Sequence, residues 1–364
     1  MSGAGAEGVA TRREVLEAAA LAGAALALGP IPALAETPPA GGEGRLVPAR
    51  ALPVPATISP ELARRVGAPL PAGWDAPPED AAGWRALAQA SAAAVAPDLP
   101  RIKSEFALTV ERGEIAGVPV FHIAPAEIPE ENRGRLLLHL HGGAYVLYPG
   151  EAGAGEGMVM AGYGGFRVVS VDYRMAPDHP FPAALEDALA VYRALIAETD
   201  PSRMAVFGSS AGGGLTLALM LRVRDLGLPL PAAMAPGTPW ADLTGQGDSR
   251  QANAFVDNVL VSNRGVLAAA AALYRGAAAA EDPLVSPLFG DFRGLPPAIL
   301  TSGTRDLLLS DTVRTHRALR KAGGTAALQV LEAQSHAQFL EPFIPENAEA
   351  FAEIAAFLDA HLAR

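Results

Sequence analysis

The pattern of apolar and polar positions changes character twice along the chain. Residues 36–60 are rich in proline, alanine and glycine, keep neither a helical nor a strand period, and read as a linker. From Ser59 to Pro97 apolar positions recur at helical spacing. Ser59-Pro60-Glu61-Leu62 has the form of an N-cap with proline in the first turn, where a missing N–H costs nothing. From about Lys103 short apolar runs of strand length take over: Glu105–Glu111, Val118–Ile123, Arg135–Leu140, Phe166–Tyr173 and Met204–Phe207. A helical pattern from Ala183 to Ala197 separates the last two, and another follows from Gly212 to Asp225. Ala232–Ala235, Ala298–Ser302 and Ala326–Leu331 complete the expected strands, and Glu346 to Leu362 forms a final helix. Alternation of strand and helix predicts an α/β fold with a mostly parallel central sheet flanked by helices. Residues 36–102 are then linker and N-terminal cap helices, and 103–364 the main domain. The stretch from Gly245 to Pro283 is too long for a simple crossover and is expected to be a helical insertion that completes the cap.

The first 35 residues are a different kind of text. Thr11-Arg12-Arg13 leads into an apolar stretch from Ala18 to Leu28, and Ala33-Leu34-Ala35 supplies small residues at the positions a signal peptidase reads. The paired arginines point to the twin-arginine route, with Val15 and Glu17 departing from its usual residues. Cleavage after Ala35 would give an exported, periplasmic or secreted protein. The apolar stretch is well short of the roughly 20 residues a membrane span needs, so no stable membrane insertion is expected after cleavage.

Composition narrows the chemistry. A formal net charge of −11 argues against a nucleic-acid partner, because phosphate binding needs a basic surface. With no cysteine, disulfides, thiolate metal sites and a cysteine nucleophile are excluded. Apolar residues at 50% and charged residues at 18% belong to a chain that folds around a large core.

The strongest chemical signal is Gly208-Ser209-Ser210-Ala211-Gly212, between a predicted strand and a predicted helix. A serine hydroxyl is a poor nucleophile until it is exposed, oriented and relieved of its proton. A strand-to-helix elbow supplies exposure and orientation, and glycines two positions either side permit the tight turn. The helix N-terminus adds a favourable dipole and the free N–H of Ala211. Read alone, G-x-S-x-G is a weak pattern that a glycine-rich turn also satisfies; its place between strand and helix favours Ser210 as nucleophile.

A second signal, His139-Leu140-His141-Gly142-Gly143-Ala144-Tyr145, closes an apolar strand. Its glycines let backbone N–H groups approach a ligand, so Gly142, Gly143 and Ala211 are expected to form an oxyanion hole. His141 is expected to order this loop by hydrogen bonding. His139 and His141 share a strand face but have no further obvious ligands, so no metal is expected.

These segments, with Asp172-Tyr173-Arg174-Met175-Ala176-Pro177 and Ser286-Pro287-Leu288, give the chain its resemblance to a known family. It resembles the bacterial hormone-sensitive lipase-like carboxylesterases, the α/β-hydrolase fold-3 group, from about Pro60 to the C-terminus. Ala144 stands where that family usually has a third glycine, Ser209 where it has aspartate or threonine, and Ala337 where it has glycine. The resemblance implies an α/β-hydrolase fold and a serine, acid, histidine order along the chain. Asp306, after the strand Ala298–Ser302, is then the acid, with Asp311 as its nearest rival. His336, after the strand ending near Leu331, is the base, ahead of His122, His179, His316 and His361. Asp172 and Arg174 are implied to be a structural brace rather than substrate contacts.

The expected chemistry is acyl transfer in two steps. His336 takes the Ser210 proton, Asp306 fixes the imidazole tautomer, and the N–H trio holds the oxyanion. Neutral His336 is required, so hydrolysis is expected to rise with pH as the imidazole loses its proton. Tyr145, Trp240, Phe255 and Phe339 are candidates for the substrate pocket. A small or short-chain ester is the leading substrate. A lactone or the acyl group of a carbohydrate or xenobiotic ester needs the same triad, and a non-catalytic small-molecule receptor on the same scaffold would be expected to lose a triad member. Neither a dinucleotide loop nor a phosphate-binding lysine motif is present, so no cofactor is expected. An assembly of two copies of the chain is left open.

Overall fold

In a computed structural model, which describes Gly44 and residues 47–363, the segment from Ser59 onward opens with three helices. Residues 1–35, where the sequence leads one to expect an export signal, lie outside the described residues. Helix α1 spans Pro60–Val66, α2 Ala81–Val95 and α3 Leu99–Glu105. The Ser59 hydroxyl caps α1 by accepting from Leu62 N–H at 3.1 Å, as the Ser-Pro-Glu-Leu pattern predicts.

An α/β alternation follows: β1 Leu108–Ile115, β2 Val118–Pro125, β3 Leu136–Leu140, α4 Gly155–Gly164, β4 Arg167–Val171, α5 Ala183–Glu198, β5 Met204–Ser209, α6 Ala211–Asp225 and β6 Ala233–Gly237. The short helix α7, Ser249–Ala252, and α8, Val266–Arg275, occupy the predicted insertion. The chain then ends with β7 Ala298–Gly303, α9 Leu309–Lys321, β8 Ala326–Leu331 and α10 Pro345–His361.

The eight strands form one sheet in the order β1-β2-β4-β3-β5-β6-β7-β8. β2 pairs antiparallel with β1 and with β4, and every pair from β4 to β8 is parallel. This is the α/β-hydrolase fold. Parallel strands covered on both faces read as continuous apolar runs, and β5, β6 and β7 are buried at every position. One face packs against α5 and α6 through Leu189, Tyr192, Leu215 and Leu219; the other packs against α4 and α10 through Met158, Val159, Phe351 and Leu358.

Two elements differ from the expectation. The first strand begins at Leu108 rather than Glu105, because residues 99–105 are helical, and it runs on to Ile115. It is an exposed edge strand whose Glu111-Arg112-Gly113-Glu114 carries little apolar signal; its register is set by the Ala116-Gly117 turn, both residues at positive φ. Helix α4 has no counterpart in the apolar pattern, since Gly155, Gly157, Gly162 and Gly164 interrupt it.

The insertion meets the N-terminal helices. Trp84 and Leu87 of α2 share an apolar cluster with Val266, Ala270 and Leu273 of α8, and the Trp74 indole N–H donates to Ser262 O at 3.2 Å.

Candidate active site

β5 ends at Ser209 and α6 begins at Ala211, so Ser210 is the whole of the turn between them. Its backbone sits at φ 61°, ψ −124°, a conformation that a side chain disfavours. Neighbouring backbone holds it there. Ser210 N–H donates to Gly237 O at 3.0 Å, and Ser210 O accepts from Gly214 N–H at 3.0 Å and Trp240 N–H at 2.8 Å.

The flanking glycines are needed for packing. A Cβ on Gly208 or Gly212 would lie 2.0 or 1.9 Å from Leu140 O, so only glycine lets the end of β3 run against the elbow. That contact carries the next loop to the serine: a Cβ on Gly142 would lie 2.8 Å from Ser209 O and 3.3 Å from Ser210 Cβ. Ala211, as first residue of α6, has an N–H with no intrahelical acceptor.

His141 braces this loop. Its Nδ1 lies 2.7 Å from Gly142 O, a geometry that assigns the ring proton to Nδ1 as donor. The imidazole stacks on Tyr173 at 4.1 Å and 9°, while the Tyr173 hydroxyl donates to His141 O at 2.6 Å. Burial lowers the His141 pKa to about 4, with the Gly142 hydrogen bond opposing and His139 adding slightly. The ring is thus a neutral brace at physiological pH.

Across the elbow, the loops after β7 and β8 meet. His336 Nδ1 lies 3.0 Å from Asp306 Oδ1, and both residues are buried. Asp306 Oδ1 also accepts from Leu308 N–H at 2.7 Å, and Oδ2 accepts from the Ser302 hydroxyl at 2.7 Å and from the Thr238 hydroxyl. Burial alone would raise the Asp306 pKa; His336 and the hydroxyls of Thr238 and Ser302 outweigh it and hold the carboxyl below the usual range. His336 thereby has Nδ1 fixed and Nε2 free of any hydrogen-bond partner among the described residues. Such an imidazole can take a proton at Nε2.

Comparisons with known proteins establish the family. A family model described as alpha/beta hydrolase fold matches residues 137–340. An acetyl-hydrolase of Streptomyces hygroscopicus is 35% identical over 232 residues, 63% of this chain and 77% of the relative. The crystal structure of esterase E25 is 40% identical, with a TM-score of 0.84 over 88% of this chain and 99% of that one. An esterase from the bacterial hormone-sensitive lipase family is 35% identical, with a TM-score of 0.66 over 73% of this chain and 91% of that one. The chain belongs to the bacterial hormone-sensitive lipase-like esterases of the α/β-hydrolase fold. It is a carboxylic ester hydrolase.

Asp311, the rival acid, is engaged elsewhere: its Oδ2 accepts from Arg250 Nη2 at 2.8 Å and from the N–H groups of Ala241 and Asp242. His316 lies in α9 with Nε2 3.2 Å from Ala326 O, and His361 Nδ1 lies 2.8 Å from Phe357 O. Asp172 and Arg174 brace the fold without pairing to each other. Asp172 accepts from Gly150 N–H at 2.9 Å, and Arg174 grips Asp187 of α5. His139 Nδ1 lies 2.8 Å from Ser170 Oγ and Nε2 3.3 Å from Glu156 Oε2.

Three of the four pocket candidates require correction. Tyr145, Trp240 and Phe339 are 1%, 2% and 2% exposed, so they are core residues with almost no surface to offer a substrate. Tyr145 stacks on Tyr274 at 3.5 Å, and Phe339 packs against Phe351. Phe255 differs: it is 53% exposed, on the insertion between Asn253, which donates to Asp306 O at 2.8 Å, and Asp257, which accepts from His336 N–H at 3.2 Å. Thr238 and Asp257 are polar partners of the site that the sequence did not reveal. Both act across long chain separations, and neither sits in a short motif.

Proposed function

We propose that this esterase is a serine hydrolase that cleaves small carboxylic esters, acetyl esters among them, through an acyl-enzyme on Ser210. The observation that carries this reading is the buried bond from His336 Nδ1 to Asp306 Oδ1, which leaves Nε2 without a hydrogen-bond partner among the described residues, while Thr238, 3.1 Å from the same Nδ1, directly follows the Gly237 carbonyl that holds Ser210 N–H. His336 takes the proton as Ser210 Oγ attacks the ester carbonyl, and the N–H groups of Gly142, Gly143 and Ala211 receive the oxyanion. The imidazolium returns the proton to the leaving alcohol, and water repeats the sequence on the acyl-enzyme. Thr238 and Ser302 keep the Asp306 carboxylate facing the imidazole. Phe255 is the apolar side chain we assign to the substrate side of the insertion.

The acetyl preference rests on the name of the Streptomyces relative. Residues 1–35 support export, and mass measurement of the mature N-terminus checks cleavage after Ala35. The central test is Ser210→Ala assayed on p-nitrophenyl esters of increasing acyl length, run beside several lactones. Turnover should vanish with the fold intact, and the wild-type enzyme should favour the shortest acyl groups. Hydrolysis retained by the variant would overturn the serine mechanism, and a preference for lactones would reassign the substrate.

A further inference from the structure

Asp257 lies on the irregular chain between α7 and α8, with no exposed surface. Its two carboxylate oxygens do different things. Oδ1 accepts from Val259 N–H at 2.8 Å and Leu260 N–H at 3.0 Å, which closes its own turn. Oδ2 reaches out of that turn and accepts from Leu307 N–H at 2.7 Å and His336 N–H at 3.2 Å. One oxygen therefore joins the residue after Asp306 to the residue that carries the imidazole. A local turn needs only Oδ1; the second oxygen serves the two loops of the site.

The neighbours of Asp257 repeat the pattern. Asn253 Nδ2 donates to Asp306 O at 2.8 Å, Asn258 N–H to the Ser335 hydroxyl at 3.2 Å, and Gln338 Nε2 to Asn258 Oδ1 at 3.0 Å. The insertion thus grips both loops with three of its side chains. The titratable groups facing Asp257 are Asp306, on the loop after β7, and His336, on the loop after β8. Burial and the Asp306 charge disfavour the Asp257 carboxylate, and a positive His336 favours it. By reciprocity the carboxylate favours the positive imidazole.

We propose that Asp257 is a positioning residue of the catalytic site, which clamps the acid and base loops together through Oδ2 and supports the imidazolium that forms on His336. This rests on the serine mechanism proposed above. A misplacement of about 1 Å between catalytic groups typically costs about 10² in rate, and an opposite charge a few ångströms away moves a titration by about one unit or more.

The test is Asp257→Asn, which keeps the shape and removes the charge. Its kcat should fall about 10²-fold with KM nearly unchanged. The acid limb of its kcat/KM profile should move down by about one pH unit. Asp257→Glu, which restores the charge, should return the limb toward the wild-type position. Circular dichroism and thermal melting identify folded protein in each case. A folded Asp257→Asn with wild-type kcat and limb overturns the proposal; so does a loss of activity with the limb unmoved, which is a structural role alone. If Asp257→Asn does not fold, Asp257→Glu decides: a limb displaced from wild type overturns the proposal, and a coincident one supports it. Ser210→Ala in parallel separates the two readings, since an active Ser210→Ala defeats the mechanism while leaving the Asp257 clamp untouched.

Discussion

The hydroxyl of Ser209 donates to Glu156 Oε1 at 2.6 Å, directly behind the elbow. Glu156 Oε2 accepts from Ser209 N–H at 3.1 Å and lies 3.3 Å from His139 Nε2. A carboxylate from α4 is thereby fixed to the C-terminal ends of both β5 and β3. Hydrogen bonds to a charged group contribute roughly 1.5–3 kcal/mol, and a buried partner left alone costs a similar amount. Ser209→Ala and Glu156→Ala should each destabilise by about 2 kcal/mol in urea unfolding. The double variant should fall short of the sum by about 1 kcal/mol or more, because either change already breaks the pair. Strict additivity would mean that the contact contributes nothing in solution.

The proposed acid, Asp306, can be separated from its rival by what each substitution damages. Asp306→Asn leaves a neutral amide facing His336 Nδ1, and kcat should drop by about 10³–10⁴ with the fold retained. Asp311→Asn breaks a pair with Arg250 in which both side chains are fully buried. Breaking such a pair by removing one partner costs about 3–5 kcal/mol. Its melting temperature should fall sharply while the folded enzyme turns over normally. An exchange of these two outcomes would reassign the acid.

Two alanines occupy positions where the family has glycine, and the structure shows what they give up. Ala144, after Gly142 and Gly143, has φ 54°, and Ala337, after His336, has φ 55°. The loops keep the left-handed turn that glycine allows, at a cost in strain of about 1 kcal/mol each. Ala144→Gly and Ala337→Gly should therefore leave stability unchanged or raise it by up to about 1 kcal/mol, despite the entropy glycine adds to the unfolded chain. A clear loss of stability in either would show that the methyl group is a packing contact.

Those departures illustrate how much was legible in the sequence. The elbow, the Gly142-Gly143 loop beside it and most strands could be read because each lies within a few consecutive residues, or follows from burial of a parallel strand on both faces. The pairing of Asp306 with His336 followed from chain order once the family resemblance was clear. Thr238 and Asp257 could not be read in that way. Thr238 meets Asp306 across 68 residues, and Asp257 meets His336 across 79, so only the folded chain shows the pairings. The aromatic side chains were illegible for a different reason: a buried ring and an exposed one have the same composition, and only the fold shows that Tyr145 is in the core and Phe255 is not. Helix α4 was hidden by its glycines, which the fold uses for close approach: a Cβ on Gly162 would lie 2.3 Å from the Phe106 ring.

The neutral brace at His141 makes stability depend on pH with a definite sign. An exposed histidine in the unfolded chain titrates near 6.5, and burial lowers the folded value to about 4. Between those values the unfolded state binds more protons, so stability rises with pH across the window and is lost as pH falls. The shift corresponds to about 3 kcal/mol from this one ring, present in full above about pH 6.5 and gone below about pH 4. The Asp306 carboxyl, held below its usual range, also loses stability on acidification, so the wild-type curve alone does not isolate His141. Comparison with His141→Asn does, because the variant keeps Asp306 and cannot charge at residue 141. The stability difference between the two proteins should be constant above about pH 7 and move against the wild type by about 3 kcal/mol as pH is lowered to 4. Parallel stability curves over that range would mean that the imidazole titrates alike in the folded and unfolded chains, and that burial does not hold it neutral.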